Sequence, residues 1–358
     1  MDILIEAQSD LGDAFLDPDY CEKHPLGGSE TALIKMAQAL RKLGAQVTLV
    51  TRPTAPSSSP PDVFVSLRRW QIFDTPTPLG KLNYLWCQDD ADQPLVTGLK
   101  DRAVAARIWD KCDGVMMLSH YQAARWKDAF GLPANKIFLT SNGIDVARFR
   151  TDPSQLKRRA PWAYYASTPF RGLAQLLDFW PTIYKATGAR ARLFVCSSLQ
   201  VYGVPEEPKY ELIYQRARAL EGVEYLGSVN QERLREVAAT CRALAYPCIF
   251  PETSCIAAME AMASGCVVVG TSLGALPETA WRNPLVLLDE SCAEVWIENL
   301  LRVLTNDAYY EMLAFDNLRL AQLMDWTGVA RRWLMRFQFD SIKRAWRDKA
   351  SQGATVSP

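Results

Sequence analysis

Two glutamates eight residues apart, Glu252 and Glu260, bracket the predicted start of a helix that follows an apolar strand. Eight residues of α-helix span about 12 Å, roughly the distance from the sugar ring of a nucleotide sugar, across its diphosphate, to its ribose. Thr253 or Ser254 is expected to cap this helix, whose N–H groups and positive dipole end suit a diphosphate. The alternative is two unrelated glutamates beside a helix of small residues, because the spacing alone is common.

A second segment suited to an anion is Leu26–Glu30 (LGGSE), which follows the first predicted strand and its loop and opens a helix. Glycine lets a backbone approach a ligand closely, so Gly27 and Gly28 favour a turn that cradles an anion. The simpler interpretation is an ordinary junction between a loop and a helix.

Strand and helix patterns alternate along the chain, which predicts an α/β fold with parallel sheets covered by helices on both faces. The predicted strands are Ile3–Ala7, Val47–Thr51, Val63–Leu67, Tyr84–Cys87, Val115–Leu118, Ile137–Thr140, Trp162–Ala166, Leu193–Cys196, Val223–Leu226, Ala243–Tyr246, Cys266–Gly270 and Leu285–Leu288. The predicted helices are Ser29–Leu43, Leu99–Lys111, Tyr121–Phe130, Gly172–Lys185, Tyr210–Leu220, Glu232–Cys241, Ile256–Ser264 and Glu294–Leu304.

Two doubly wound domains in series are the expected organisation. The basic stretch Asp145–Pro161 contains two prolines and is the predicted linker, and Thr54–Pro61 (TAPSSSPP) is predicted as a surface loop. Ligands of such sheets bind beyond the carboxyl ends of the strands. The chemistry is therefore expected in the loops that follow strands.

The stretch Phe250–Glu278 resembles the retaining glycosyltransferases of family 4. The matching features are Glu252, Glu260, Ala263, Gly265, the strand Val267–Val269, and Gly274 with Pro277–Glu278. The resemblance covers most of the chain and is strongest over Ala243–Glu278. It implies the GT-B fold, in which two Rossmann-like domains, here 1–155 on the acceptor side and 156–327 on the donor side, face each other across a cleft. A C-terminal helix, 328–350, would pack back on the first domain.

The resemblance also implies the residues that bind the donor. Glu252 would contact the donor sugar and Glu260 the ribose. The diphosphate would meet the backbone N–H groups of Thr253, Ser254, Cys255 and Ile256. Arg171, in the segment STPFRGL, matches the family's basic-glycine signature and would clamp the diphosphate with paired hydrogen bonds. The remaining expected donor contacts are Gly27, Gly28, Ser228 and Val229.

Two features depart from the family pattern. Members commonly carry two basic residues near Arg171, yet no Lys or Arg occurs between Ala160 and Phe170. Many members also have a His-Asp pair after a strand of the first domain, where this chain has Gln88 before Asp89. Glutamine donates and accepts hydrogen bonds but transfers no proton, so Gln88 is expected to orient or stabilise charge, or to be structural only.

Three competing motifs are weaker. Gly270–Gly274 (GTSLG) has the form of a hydrolase nucleophile turn, but both histidines, His24 and His120, precede it, whereas that triad needs a later one. Asp90–Asp92 (DAD) has the form of a metal-nucleotide motif and is interpreted as a loop with solvated carboxylates. The two histidines are expected in loops or on the surface, with His120 as the one nearer the cleft.

Composition narrows the class of protein. The 358 residues carry 40 Lys and Arg and 40 Asp and Glu, which argues against a general nucleic-acid binder. Nine scattered cysteines and two histidines predict reduced thiols and no metal site, and the absence of a long apolar run or signal peptide predicts a cytoplasmic protein. The tail Val329–Lys349 is rich in Lys and Arg with interspersed aromatic residues. It is expected to pack on the first domain, and its basic face suits a peripheral contact with an anionic membrane.

The sequence thus predicts a metal-independent hexosyltransferase without a cofactor, which uses a nucleotide sugar, UDP- or GDP-linked in the first instance, and an acceptor with a hydroxyl group. Glu252, Arg171 and Gln88 are the predicted catalytic residues. The alternatives are an inactive GT-B-like binding subunit, or another GT-B reaction such as that of a nucleotide-sugar epimerase or a phosphorylase.

Overall fold

The computed structural model describes residues 1–7, 17, 20–51, 59–75, 79–149, 151–287 and 292–353. The chain divides into two compact units. The first takes its described residues from Met1–Asp13, Lys35–Ser141 and Trp326–Pro358, and the second from Ala14–Ile34 and Asn142–Asp325. The chain thus contributes one short segment to the second unit, returns to the first at Lys35, leaves it again after Ser141, and rejoins it at Trp326.

The first unit contains a parallel sheet of six strands in the order β2-β1-β3-β4-β5-β6. Its strands are β1 (Asp2–Ala7), β2 (Gln46–Val50), β3 (Val63–Leu67), β4 (Leu82–Trp86), β5 (Gly114–Met117) and β6 (Ile137–Leu139). Strands β3, β4 and β5 are buried at every position, as expected for parallel strands covered on both faces.

The second unit contains a parallel sheet of six strands in the order β12-β11-β10-β7-β8-β9. Its strands are β7 (Trp162–Ala166), β8 (Arg192–Cys196), β9 (Val223–Tyr225), β10 (Ala243–Tyr246), β11 (Val267–Thr271) and β12 (Leu285–Val286). The two sheets confirm the predicted fold class, and each predicted strand has a counterpart. The loop prediction over 54–58 and the last residue of the predicted strand 285–288 lie outside the described residues.

Helices connect the strands. They are α1 (Tyr20–Lys23), α2 (Gly28–Lys42), α3 (Arg102–Lys111), α4 (His120–Phe130), α5 (Leu173–Ala186), α6 (Pro208–Ala219), α7 (Gln231–Thr240), α8 (Ile256–Ala263), α9 (Leu276–Thr279), α10 (Cys292–Thr305), α11 (Asp307–Ala321) and α12 (Trp326–Gly353). Helices α1, α9 and α11 have no counterpart among the predicted helices.

Helix α12 packs on the sheet of the first unit, as predicted. The indole of Trp333 meets that of Trp86 edge to face at 4.8 Å between ring centroids, and its N–H donates to the Thr140 hydroxyl at 2.8 Å. One turn further on, Phe337 lies 4.7 Å from the ring of Tyr84. Aromatic pairs of this kind contribute stabilisation beyond their buried area, so the seam fixes the helix to the strands.

Candidate functional site

An ion pair joins two of the predicted catalytic residues in the second unit. The Arg171 guanidinium (Nη1) lies 2.5 Å from the Glu252 carboxylate (Oε1), and the side chains are only 20% and 7% exposed. Arg171 ends a short 3-10 turn, Pro169–Arg171, that follows β7, and Glu252 lies in the loop after β10. Because β7 and β10 are neighbours in the sheet, their carboxyl ends bring these loops together.

Aromatic residues complete the surroundings of this ion pair. The Tyr246 hydroxyl, at the end of β10, donates to the same Glu252 oxygen at 2.5 Å. The Phe250 ring centroid lies 4.3 Å from the guanidinium carbon of Arg171, within the range of a cation–π contact. Burial opposes the charge of Arg171, but the Glu252 carboxylate favours it, and the net effect raises its pKa well above the ordinary value. Burial and the same carboxylate raise the pKa of Tyr246, so this phenol remains a hydrogen-bond donor.

The Glu252 loop is anchored by the segment after β11. The backbone N–H of Ala275 donates to the Glu252 carbonyl at 2.6 Å, and the Thr271 hydroxyl donates to the Cys248 carbonyl at 2.5 Å. Gly274 has a φ of +64°, and a Cβ there would collide with the Glu252 backbone. The GTSLG segment therefore holds the Glu252 loop in place.

Helix α8 begins at Ile256, with Cys255 as its N-cap residue and without a side-chain cap. The expected capping by Thr253 or Ser254 is therefore wrong: the chain stays extended at Cys255, so the helix starts beyond reach of a standard Ser or Thr cap. A helix start of this kind leaves backbone N–H groups and the positive dipole end for another acceptor. Glu260 is half-buried within the same helix.

The glycine segment lies beside α8. Helix α2 begins at Gly28, and a methyl group on Gly28 would lie 3.8 Å from the side chain of Ile256, the first residue of α8. A methyl group on Gly27 would lie 3.2 Å from the ring of Tyr202. Tyr202 is also close enough to Arg171 to affect the pKa of its guanidinium. The starts of two helices thus meet near the ion pair, where both dipoles favour an anion.

Several buried polar atoms near the strand ends of the second sheet have no hydrogen-bond partner among the described residues, and three of them lie in or beside the segments predicted to bind the donor. They are Arg171 Nε, Thr168 Oγ1 and Ser228 Oγ. Ser228 follows β9, and its neighbour Val229 packs against the core of the unit. Buried polar groups in folded proteins are almost always satisfied, so these three indicate places where a ligand or water completes the hydrogen bonding.

Gln88 follows β4 in the first unit and is half-buried. The next residue, Asp89, forms two hydrogen bonds with the Arg68 guanidinium at 2.7 and 2.8 Å, and its carbonyl accepts from the Gln122 amide at 2.9 Å. Arg68 has a left-handed φ of +67°, an uncommon conformation for a residue with a side chain. The backbone beside Gln88 is therefore held in a defined geometry at the carboxyl edge of the sheet.

The expectation of solvated carboxylates at Asp90 and Asp92 is wrong for Asp90. Its side chain is buried and accepts hydrogen bonds from the Tyr121 hydroxyl at 3.0 Å and from Arg125 at 3.3 Å. Helix α4 supplies both donors, which the motif alone could not indicate. Asp92 is exposed, as expected.

The two histidines have ordinary surroundings. His24 stacks on the ring of Tyr20 at 4.0 Å, and His120 is the exposed first residue of α4. Sequence reasoning did not find Tyr246, Tyr202 or Phe250 as neighbours of Arg171. A signal existed for Tyr246 and Phe250, because they flank the loop that begins the glutamate motif. Tyr202 lies outside that motif.

Within the described ranges, no group of three or more His, Cys, Asp and Glu side chains is placed to hold a metal ion. Over the same ranges, no helix combines the length and the hydropathy needed to cross a bilayer.

Comparison with known proteins defines the class. The fold is that of GT-B glycosyltransferases: the chain superimposes on HepE of Anabaena, crystallised with UDP and glucose, with a TM-score of 0.69 and 15% identity over 94% of this chain and 99% of that one. A sucrose-phosphate synthase of Thermosynechococcus elongatus superimposes with a TM-score of 0.69 and 15% identity over 95% of this chain and 100% of that one. Residues 164–306 match the family model of the glycosyl transferases group 1. The predicted family is therefore confirmed for this segment.

Curated relatives agree with this assignment. A GDP-mannose-dependent phosphatidylinositol monomannoside mannosyltransferase of Mycobacterium tuberculosis is 28% identical over 198 residues, which are 51% of this chain and 50% of that protein. The chain thus spans about half the length of this relative in the matched region. A phosphatidyl-myo-inositol mannosyltransferase of Mycobacterium leprae is 22% identical over 92% of this chain and 95% of that protein.

Proposed function

We propose that this chain is a hexosyltransferase that moves a sugar from a nucleotide diphosphate to a hydroxyl group of a glycan, glycolipid or small molecule, with retention of the anomeric configuration. The observation that carries the proposal is the Arg171–Glu252 ion pair beside the uncapped start of α8. The Arg171 guanidinium, whose buried Nε–H has no partner among the described residues, and the dipole of α8 would offer hydrogen bonds and positive charge to a diphosphate.

The donor would occupy this site with its diphosphate at Arg171 and at the backbone N–H groups of residues 253–256. Glu252 would accept hydrogen bonds from hydroxyl groups of the sugar, and Glu260 from the ribose. Ser228 and Val229 would contact the nucleoside, with Ser228 Oγ gaining the partner that it lacks among the described residues. Gly27 and Gly28 would let the start of α2 approach the phosphates from the other side.

The reaction would break the bond between the anomeric carbon and the diphosphate oxygen and form one from the acceptor oxygen to the same carbon. Both events occur on one face of the sugar, so that the configuration is kept without a protein nucleophile. The acceptor proton would pass to the departing diphosphate. Arg171 and the two helix starts would stabilise the charge that develops on this leaving group, the principal way in which such a site lowers the barrier.

Gln88 lies in the first unit and is proposed to orient or polarise a reacting group, because its amide cannot exchange a proton. Independence of metal ions is part of the proposal, since Arg171 and the helix starts supply positive charge. The donor is proposed as a UDP- or GDP-sugar, because the Mycobacterium tuberculosis relative is GDP-mannose-dependent and HepE of Anabaena was crystallised with UDP-glucose. The names of both mycobacterial relatives contain phosphatidylinositol, which supports a lipid among the acceptor candidates.

The test is a thermal-shift screen with UDP-, GDP- and ADP-sugars, with and without EDTA, on the wild type and on Arg171→Lys and Glu252→Gln. A donor at 100 times its Kd should stabilise the native state by about 2.7 kcal/mol. Arg171→Lys keeps the charge but loses the paired hydrogen bonds, so a smaller shift is expected. The matched control is Arg218→Lys, which alters an exposed Arg–Glu pair, with Glu211 at 2.9 Å.

Product analysis with the selected donor then separates the alternatives. A new glycosidic product with retained configuration supports transfer, whereas an epimerised nucleotide sugar or a sugar phosphate points to the other GT-B reactions. Binding without turnover points to an inactive binding subunit. No shift with any donor, or equal shifts in the wild type and in both site variants, would contradict the assigned site.

A further inference from the structure

Helix α12 has two apolar faces. One is the seam of Trp333 and Phe337 packed on the first unit. The other, here called the apolar stripe, consists of four side chains that are 60–76% exposed: Met335, Phe339, Ile342 and Trp346. Steps of four, three and four residues place them within roughly 60° of arc, on the side of the helix opposite the seam.

Such exposure is unusual for large apolar side chains that are contiguous. Single exposed apolar residues are normal on a protein surface, but an aligned row on one helix marks an interaction surface. All ten residues from 341 to 350 are exposed, and the ion pair of Arg344 with Asp113 at 3.0 Å connects this end of the helix to the rest of the first unit. The stripe continues onto this exposed end through Ile342 and Trp346.

Basic side chains flank the stripe on both sides. Arg332 and Lys343 lie on one flank and Arg331 and Lys349 on the other, and all four are exposed. The range 329–349 contains seven Lys or Arg and two Asp. One of these, Asp340, is buried and pairs with Arg336 at 2.6 Å. The face around the stripe is therefore strongly positive.

We infer that this face docks on an anionic lipid surface, with the apolar stripe inserted between the lipid headgroups. Apolar residues with a basic rim are the pattern of helices that lie in a membrane interface, where Trp is favoured and Lys and Arg reach anionic headgroups. The positive charge around the stripe favours an anionic membrane over a second copy of the chain as its binding partner. A second copy of the chain packed along the stripe would bring two strongly positive faces together, whereas an anionic membrane is complementary to one.

This surface is independent of the proposed donor site, because it involves none of the residues assigned to the donor. Its function is to hold the enzyme at a membrane, irrespective of the reaction. Failure of the docking proposal therefore leaves the donor-binding test unaffected, and the reverse also holds.

The experiment is co-sedimentation of the full chain with phosphatidylcholine vesicles, with and without phosphatidylglycerol, at low and high salt. Selective binding to the anionic vesicles that weakens with salt is expected. The double variant Phe339→Ser/Trp346→Ser should lower the partition coefficient at least tenfold, as should Lys343→Glu/Lys349→Glu. The matched control is Leu212→Ser/Trp281→Ser, which removes two side chains that are also exposed.

Three results would overturn the proposal. They are absence of binding to anionic vesicles, equal binding to neutral ones, and an equal loss in the control variant. Analytical ultracentrifugation provides a further check: a dimer that becomes a monomer in Phe339→Ser/Trp346→Ser would show that a second copy covers the stripe. Urea unfolding, measured on each variant, establishes that the first unit, which contains α12, is intact.

Discussion

The phenolic oxygen of Tyr246 lies 2.5 Å from Oε1 of Glu252, the same carboxylate oxygen that pairs with Arg171. Two donors thus fix one oxygen from two directions. Tyr246 is buried and is the last residue of β10, so its hydrogen bond fixes the Glu252 side chain to the sheet. In the proposed reaction Tyr246 is a positioning residue, because it acts on the donor through Glu252.

The variant Tyr246→Phe tests this role. Loss of a hydrogen bond to a charged group is worth about 1.5–3 kcal/mol, so transfer should fall roughly 10- to 100-fold. Single-turnover kinetics with the selected donor measure this loss. A lower rate of transfer with nearly unchanged donor affinity is the result expected of a positioning residue. The control is Tyr310→Phe, which removes a buried hydroxyl that donates to the Gly265 carbonyl at 3.1 Å. Equal activity in the two variants would contradict the role of Tyr246.

Gly172 is required by the backbone next to Arg171. Its φ is +107°, and a Cβ would collide with the carbonyl group of Pro247 in the loop after β10. Gly172→Ala should therefore destabilise the protein by about 3 kcal/mol or more, because strain in φ adds to overlap with rigid backbone. Gly188→Ala is the matched control, since Gly188 has a φ of +63° but no atom within 4 Å of the added Cβ. Urea unfolding of both variants gives the difference, and equal stabilities would refute the collision.

Gly28 has space for a side chain, so a substitution there can test donor binding without a large change in stability. A Cβ there makes only an ordinary contact, 3.8 Å from Ile256, so Gly28→Ala should change stability little. It would nevertheless put a methyl group between the starts of α2 and α8, where the phosphates of the donor are proposed to lie. Donor affinity should weaken by about tenfold, or about 1.4 kcal/mol, in a calorimetric titration. Gly328→Ala, in α12 and without neighbours within 4 Å, is the control. Unchanged affinity in Gly28→Ala would remove Gly28 from the site.

The strands and the glutamate motif could be predicted because their signals are local. Helix α11 could not, because Met312 and Phe315 are exposed on its outer face and obscure the one-sided apolar pattern. The contact of Arg171 with Glu252 joins loops 81 residues apart. It depends on β7 and β10 being neighbours, and strand order is a property of the folded sheet that residue spacing does not encode.

Trp333 is expected to fix α12 to the first unit. It is fully buried, packs on Trp86 and donates to Thr140, so Trp333→Ala should cost about 3–5 kcal/mol of stability. Denaturant unfolding measures the change. Trp281→Ala, at an exposed indole, should cost far less. Comparable losses in the two variants would mean that the seam contributes little to the stability of the fold.

Buried thiols should make the protein sensitive to alkali. Burial raises the pKa of Cys248 and of Cys196 to about 12 and that of Cys266 to about 11, whereas an unfolded thiol titrates near 8.5. Above about pH 8.5 the unfolded chain releases protons that the folded chain keeps, so the free energy of unfolding falls as the pH rises, by up to about 1.4 kcal/mol per thiol and pH unit. Urea unfolding between pH 7.5 and about 9.5 measures this decrease in the free energy of unfolding.

The same burial should protect the thiols from reagents. Eight of the nine cysteines are buried, and Cys292 is partly exposed, so a thiol reagent at pH 8 should label about one site per folded chain and all nine after unfolding. A free energy of unfolding that stays level or rises over that pH interval, or rapid labelling of several thiols in the folded state, would show that these side chains are reached by solvent and are not held in the core.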